Sequence, residues 1–429
     1  MAERTPKSKL RTPNLTRLVP ALLAWFSANA RDLPWRRTRD PYAIWVSEIM
    51  LQQTQVKTVI PYWKRWMREL PTIEAVAEAR SEKIHKLWEG LGYYTRARNL
   101  QKATKQIMQK HDGKFPHNFD DVLALPGIGR YTAGAICSIA FNQPTPILDG
   151  NVIRVLTRIF GIAENPREKK TNAQLWRLAE ELVTHADKVV QASCLRRQAR
   201  SLFHSKNSRS ALNQSLMELG ALVCTPRNPQ CEICPVKNLC VAFREDRIGK
   251  LPNLSKREAA TARRFVAFVV ERNGRFLVRQ RPAGIVNAHL WEFPNIEIGA
   301  RLSEPQHTRW QNTVGKIPAT DPTRTCYGSG DPRSKAIANA VVQTLGFAPK
   351  ELTPLCTVKH SITRYRITLE AFHVHFGGAS SARSHNNMVR RGIPPSEKNG
   401  VWLTPVQLRK LAFTAAHRRI LRHLQTHSQ

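Results

Sequence analysis

The chain has 429 residues, of which 67 are Lys or Arg and 32 are Asp or Glu, a formal net charge of +35. That length supports two or three domains, each with its own core, and the charge is no detachable tail, because residues 1–245 carry +17 (38 basic, 21 acidic) and residues 246–429 carry +18 (29 basic, 11 acidic). The natural partner of such a surface is a polyanion, nucleic acid first, with a merely solubilising surface as the plainer reading.

The first 14 residues, MAERTPKSKLRTPN, form a basic tail without the apolar core of a signal peptide. The longest apolar stretches, such as Leu18 to Phe26, are too short to span a bilayer. Of eight cysteines, four cluster and the others, Cys137, Cys194, Cys326 and Cys356, are scattered, unlike a secreted disulfide framework. A soluble protein of a reducing cytoplasm is expected, nucleoid-associated in a bacterium and with no membrane partner.

Residues 15–223 read as helices with short connections. Asp40-Pro41 starts one, with Pro at the first helical position. The run YAIWVSEIMLQQTQVKTVI continues it as far as Pro61, with Ile44, Ile49, Leu51 and Val56 on an apolar face. Further helices are predicted around 74–88, 95–111, 119–125, 130–140, 150–160, 172–185 and 210–222, and no convincing strand alternation occurs before residue 260. After the cysteine run at 224–240, the polar and basic stretch 241–262 predicts a linker. In residues 263–429, RRFVAFVVERNGRFLVRQRP places a hairpin turn at Asn273-Gly274, TRYRITLEAFHVHF alternates at period two, and TPVQLRKLAFTAAHRRILRHL returns to helix. This part is therefore a mixed α and β domain on its own core, with loop-like segments at 300–335 and 377–398.

Three constellations carry chemistry. In LPGIGRYTAGAI, Gly127 and Gly129 sit between helical runs, so the backbone turns tightly and presents amides at a helix N-terminus, a helix-hairpin-helix pattern suited to a DNA phosphate; a bare G-x-G is otherwise just a turn. Glu48 lies on a helix of mostly apolar neighbours, where a carboxyl pKa rises towards neutrality, and Asp149 opens the helix after ILDGNV, where it also serves as an ordinary cap. Two carboxylates flanking a sugar–base bond are what glycosidic cleavage needs, although 101 positions separate them in the chain. Cys224, Cys231, Cys234 and Cys240 follow the spacing C-x6-C-x2-C-x5-C. A zinc site uses the same residues, but the spacing lacks the paired knuckles of a zinc ribbon and favours a [4Fe–4S] cluster.

The segments LPWRRTRDPYAIWVSEIMLQQTQV, GLGYYTRARNL, LPGIGRYTAGAI, LDGNVIRVLTR and NQSLMELGALVCTPRNPQCEICPVKNLC resemble, in order over residues 30–240, the MutY-type adenine DNA glycosylases. The resemblance implies an all-α helix-hairpin-helix glycosylase core with an iron–sulfur loop, followed by an α+β Nudix-like lesion-recognition domain. It implies removal of adenine mispaired with 8-oxoguanine from double-stranded DNA, by a monomer whose product passes to downstream repair enzymes. Glu48 corresponds to the acid that protonates adenine, Asp149 to the carboxylate that supports the sugar cation, and Asn151 to a residue that positions Asp149 or water. Tyr131 stands where strand-cutting relatives carry a Schiff-base lysine, which implies a monofunctional enzyme. Trp35 and Arg36 match a pocket wall, Gln214 matches a reader of the adenine edge, and Gln53 and Tyr93 match residues that wedge into the duplex.

Two departures stand out. The lesion-reading loop, usually Phe-Ser-His, aligns with Ile362, Thr363 and Arg364, of which Thr363 keeps a hydroxyl. Thr184–Ser210, with Arg196, Arg197, Arg200, Lys206 and Arg209, is longer than the family usually shows. A lyase acting on oxidised pyrimidines conflicts with Tyr131. A nucleotide hydrolase conflicts with KAIANAVVQTLG, which has no Glu where that chemistry holds magnesium. A non-catalytic DNA-binding protein remains the alternative that Glu48→Gln tests.

Overall fold

The computed structural model describes residues 13–195, 207–255, 259–298, 332–362, 364–375 and 400–426. They form two compact units, Met1–Ala79 with Arg96–Lys256, and Arg80–Thr95 with Arg257–Gln429. Among the described residues no helix is long and apolar enough to cross a membrane.

In chain order the helices before residue 245 are α1 (Leu15–Asn29), α2 (Pro41–Leu51), α3 (Val56–Glu69), α4 (Ile73–Glu78), α5 (Ser81–Trp88), α6 (Thr95–Lys110), α7 (Phe119–Leu123), α8 (Arg130–Phe141), α9 (Gly150–Phe160), α10 (Lys169–Leu195), α11 (Ser208–Leu222) and α12 (Val241–Arg244). All but α5 lie in the first unit. One core joins α1, α8, α9, α10 and α11 through Leu18, Leu22, Ala135, Val155, Leu175 and Leu216. Helix α2 packs between α3 and α8, and its residues from Tyr42 to Met50 are all buried.

Three helix boundaries differ from the expected ones, the first two for non-local reasons. Helix α2 stops at Leu51 rather than running to Pro61, because the Arg96 guanidinium, from α6, donates to the carbonyls of Ile49 (2.7 Å), Met50 (3.0 Å) and Gln52 (2.6 Å). Pro61 then sits inside α3, where it deprives only the Lys57 carbonyl of an N–H partner. The stretch 74–88 is two helices, broken where Gln101 Nε2 donates to the Ala79 carbonyl at 2.6 Å. Nor is 241–262 simply a connector: α12 and Leu251 are buried beside Cys240, and Asn253 donates to the Ala163 carbonyl at 3.0 Å. Helix α10 extends the predicted 172–185 to Leu195; Arg196, Arg197, Arg200 and Lys206 lie outside the described residues, while Arg209 pairs with Asp187 at 2.8 Å.

The second unit is a mixed sheet of β1 (Thr261–Arg272), β2 (Arg275–Gln280), β3 (Trp291–Glu292), β4 (Asn295–Ile298), β5 (Glu351–Ile362), β6 (Tyr365–His375) and β7 (Val401–Leu403), with helices α13 (Pro332–Leu345), α14 (Pro405–Lys410) and α15 (Ala415–Thr426). Its main path runs β3-β2-β1-β6-β5; β4 pairs with β1 and β7 with β2. The β1–β2 hairpin turns at Asn273-Gly274, both at positive φ. Strands β1 and β6 are parallel and central, so both of their faces must be covered. Ala267, Val269, Leu369 and Ala371 face Phe413 and Ile420, whereas Val266, Phe268, Phe372 and Val374 face Ile337 and Val341 of α13. The period-two alternation seen in the sequence is thus split between two cores, one on each side of the sheet.

Gly134, within α8, allows the chain before α9 to pass at close range: a Cβ there would lie 2.3 Å from the Pro146 carbonyl oxygen. Gly134→Ala must shift backbone rather than a side chain. It is expected to cost roughly 1–3 kcal/mol, read as a lower urea or thermal unfolding midpoint; an unchanged midpoint would contradict this packing.

Candidate active site

Helix α2 fixes Glu48. Asp40 caps its N-terminus by accepting from the Tyr42 and Ala43 amides, at 3.0 and 3.3 Å. Glu48 is only 6% exposed. The Tyr131 hydroxyl, on α8, donates to Glu48 Oε2 at 2.8 Å. Burial raises the Glu48 pKa to about 7, a nearby Asp149 charge adds to the rise, and the Tyr131 hydrogen bond and Arg36 oppose it. Burial likewise raises Tyr131 well above 10, so it remains a phenol.

Asp149 caps α9. Its Oδ1 accepts from the Val152 amide at 2.7 Å and its Oδ2 from Asn151 Nδ2 at 3.0 Å. Burial raises its pKa, while these donors and Arg154 favour the charged form, as does the helix N-terminus. Both expected roles of Asp149, cap and site carboxylate, therefore coexist. Asn151 is held in turn: Arg154 Nη2 donates to its Oδ1 at 2.8 Å and to the Gly220 carbonyl at 2.7 Å, and Arg154 Nε donates to the Cys224 carbonyl at 2.7 Å.

Glu48, Tyr131, Asp149 and Asn151 line one cleft of about 520 Å³ with Trp35, Arg36, Gln53 and Gln214. Residues far apart in sequence thus meet at one place in the first unit. Trp35 is 6% exposed and meets Trp63 edge-on at 6.0 Å between ring centroids. Gln214 donates to Ser210 Oγ at 3.1 Å, and Gln53 holds a φ of +56°. Gly127 has a φ of +80°, and a Cβ there would strike Asn99 at 2.6 Å; Gly129 caps α8. Tyr93 and Arg364 belong to the second unit and do not line the cleft. The Arg364 guanidinium lies 5.3 Å from the centre of the Tyr365 ring. Thr363 lies outside the described residues.

The sequence reading missed Arg31 and Glu218. The Glu218 carboxylate, itself in the cleft wall, accepts from Arg31 Nε (2.8 Å) and Nη2 (2.7 Å) and from Arg36 Nη1 (3.1 Å) and Nη2 (2.9 Å). Burial opposes its charge, but those hydrogen bonds prevail and hold its pKa at about 2. The available signal was its position four residues after Gln214, hence on the same face of α11. Arg154 and Arg158 were missed too, although two arginines four apart on an apolar helix mark buried cations that need partners.

The four clustered cysteines line a second cavity with Val155, Ile159, Leu219 and Val223. Among the described residues no three His, Cys, Asp or Glu are arranged to hold a single metal ion; the thiols instead ring a shared space. The charged groups there are Arg158 and Lys237, both cations, and Arg158 Nη1 lies 3.3 Å from Cys224 Sγ. Soft sulfur donors around an apolar space with cations in its wall fit a cluster ligated by thiolates. Burial first, and the neighbouring cysteines after it, push Cys234 up to about 12, so a bound cation such as iron would be needed to favour the thiolate form.

Residues 46–181 match the family described as HhH-GPD superfamily base excision DNA repair protein, residues 224–240 the iron-sulfur binding domain of endonuclease III, and residues 265–423 the NUDIX domain. Fold and site define a DNA glycosylase, an enzyme that hydrolyses N-glycosyl bonds, with a [4Fe–4S] cluster on its four-cysteine loop and a Nudix-like domain later in the chain. The adenine DNA glycosylase of Buchnera aphidicola subsp. Schizaphis graminum is 38% identical over 284 residues, covering 66% of this chain and 76% of that protein. Those of Rattus norvegicus and Homo sapiens are 32% and 31% identical, covering 95% and 94% of this chain and 77% and 73% of their own length. The chain belongs to the adenine DNA glycosylase family. Its α13, PRSKAIANAVVQTL, carries no carboxylate, so this helix offers no magnesium ligand to a nucleotide hydrolase.

The raised Glu48 pKa makes a stability prediction. The folded state holds this proton more tightly than the unfolded chain, so the resulting stability is present below about 4.5 and lost as the pH rises through about 7. Glu48→Gln is expected to unfold at the wild-type temperature at pH 4.5. At pH 8.5 it is expected to be more stable than wild type, by at most roughly 3 kcal/mol. Equal unfolding temperatures at both pH values would show that Glu48 is not held neutral by burial.

Proposed function

We propose that the enzyme removes adenine paired with 8-oxoguanine from duplex DNA and stops at the abasic site. The observation that carries this reading is that Glu48 and Asp149, from α2 and α9, open onto the same cleft in unlike environments. Glu48 is buried with one donor and keeps its proton near neutrality, so it acts as the general acid towards a ring nitrogen of the departing base. Asp149, with two donors at a helix N-terminus, is the ionised partner that stabilises the sugar cation. Tyr131 orients Glu48, and Asn151 orients Asp149 or the attacking water.

Trp35 forms the apolar side of the base pocket. Gln214 and the Arg31–Arg36–Glu218 group supply its donors and acceptors; an amide suits adenine, which both accepts and donates. The [4Fe–4S] cluster organises the loop and takes no part in bond breaking. Gly127 and Gly129 present amides to a phosphate, and Gln53 and Tyr93 each wedge into the duplex. The segment Ile362, Thr363 and Arg364 reads the oxidised guanine. The enzyme is monofunctional: Tyr131 has no amine, and among the described residues no lysine lines the cleft. It works as a monomer, since one chain supplies the whole cleft, and it leaves strand cutting to a downstream enzyme.

The test is single-turnover adenine release from duplexes with adenine opposite 8-oxoguanine, guanine or thymine. Release is expected to be fastest opposite 8-oxoguanine and to fall about a hundredfold or more in Glu48→Gln, with no strand cutting until alkali is added. The rate should decline as the pH rises through about 7, because the acid must hold its proton. Tyr131→Phe should move that decline to higher pH, since it removes a donor that favours the ionised carboxyl. No adenine release from any duplex would reject the reading, and strand cutting without alkali would reject the monofunctional claim.

A further inference from the structure

Residues 80–95 lie within the stretch that matches the glycosylase superfamily, yet they pack with the C-terminal unit. Glu89 is the centre of that packing. It follows α5 directly and is 7% exposed, so its charge must be met inside the protein. Its Oε1 accepts from the Phe413 amide at 3.0 Å and its Oε2 from Lys86 Nζ at 2.8 Å, with Arg418 Nε 3.8 Å away. Its carbonyl accepts from Arg418 Nη1 at 3.1 Å, and Lys86 Nζ also donates to the Leu411 carbonyl at 2.9 Å. The far side is equally fixed. Phe413 is 1% exposed in the sheet core, and Trp291 of β3 pairs with the same segment through Ala412 and Thr414.

The backbone beyond Glu89 is unusual. Gly90, Gly92 and Tyr93 have φ values of +112°, +73° and +48°. The turn is tied by Leu91 N–H to the Trp88 carbonyl (3.1 Å) and Trp88 Nε1 to the Gly92 carbonyl (3.0 Å). It projects Tyr93, which is 45% exposed. A tyrosine at positive φ is strained and persists only where its surroundings dictate it.

We propose that Glu89 is a positioning residue through which the C-terminal sheet holds the Gly90–Tyr93 turn in the one shape that projects Tyr93 into DNA. The C-terminal domain then serves excision by fixing a wedge as well as by reading a lesion. This rests on the reading that Tyr93 enters the duplex, so one measurement is taken without DNA. In the full-length protein, hydrogen exchange at the amides of residues 90–94 should speed up roughly tenfold or more in Glu89→Ala, and less in Glu89→Gln, which keeps an acceptor for Phe413 N–H. Arg418→Met should speed up the same amides, which keeps the test open should Glu89→Ala fail to fold. Exchange unchanged from wild type in every variant that folds overturns the proposal.

The second measurement is single-turnover adenine release, alongside the fluorescence of 2-aminopurine placed beside the mispair. Glu89→Ala should slow release roughly ten- to a hundredfold and weaken the unstacking signal, yet add nothing in a Tyr93→Ala background. Full additivity of the two substitutions also overturns it. Absence of adenine release from the wild type would count against the functional reading alone, because the exchange experiment still decides the clamp.

Discussion

A carboxyl group held out of water is the constraint around which the rest of the structure is arranged. Helix α2 has no solvent face over its central two turns, and the Glu48 carboxyl, at the cleft wall, meets the Tyr131 hydroxyl. Desolvation then does what no catalytic residue can do for itself: it keeps an acid protonated near neutral pH. Asp149 carries the same functional group into the same cleft but meets it at a helix N-terminus with amide donors. Burial raises the pKa of both carboxyls, and the donors around Asp149 oppose that rise.

The basic composition has an interior as well as an exterior meaning. Arg96 takes the last carbonyls of α2. Arg154 joins Asn151 to the carbonyl of the first cluster cysteine. Arg158 ties the cysteine loop to Leu251 and Thr225, and Arg31 with Arg36 saturates Glu218. A planar guanidinium with five donors does this where lysine, a single point of charge, does not. Part of the formal charge of +35 is therefore structural mortar, and the remainder is the field that a phosphate backbone meets. Arg154 thereby joins Asn151 in the cleft wall to the iron–sulfur loop.

The C-terminal unit has the Nudix sheet without the carboxylates on α13 that would make it a hydrolase. Its own buried charge is structural: burial opposes the charge of Glu292, and the paired guanidiniums of Arg281 and Arg279 hold it ionised. Burial itself pushes His417 down to about 4, which leaves its Nδ1 free to accept from the Phe293 amide at 3.1 Å.

The sequence by itself determined whatever depends on local order: the helices with their Asp and Gly caps, the Asn273-Gly274 hairpin, the period-two strands, and the cysteine run whose ligands lie within one loop. It also singled out Glu48 and Asp149, since an acid among apolar residues and an acid before a glycine are visible as patterns. Only the tertiary structure decided that the two face one cleft, that α2 ends at Leu51 because a distant arginine takes its carbonyls, and that Glu218 pins two guanidiniums beside them. It alone moved residues 80–95 into the company of the C-terminal sheet. Backbone preference and hydrophobic period are properties of neighbours in the chain, whereas burial, pKa and ion pairing are properties of neighbours in space. A linear sequence does not list the latter.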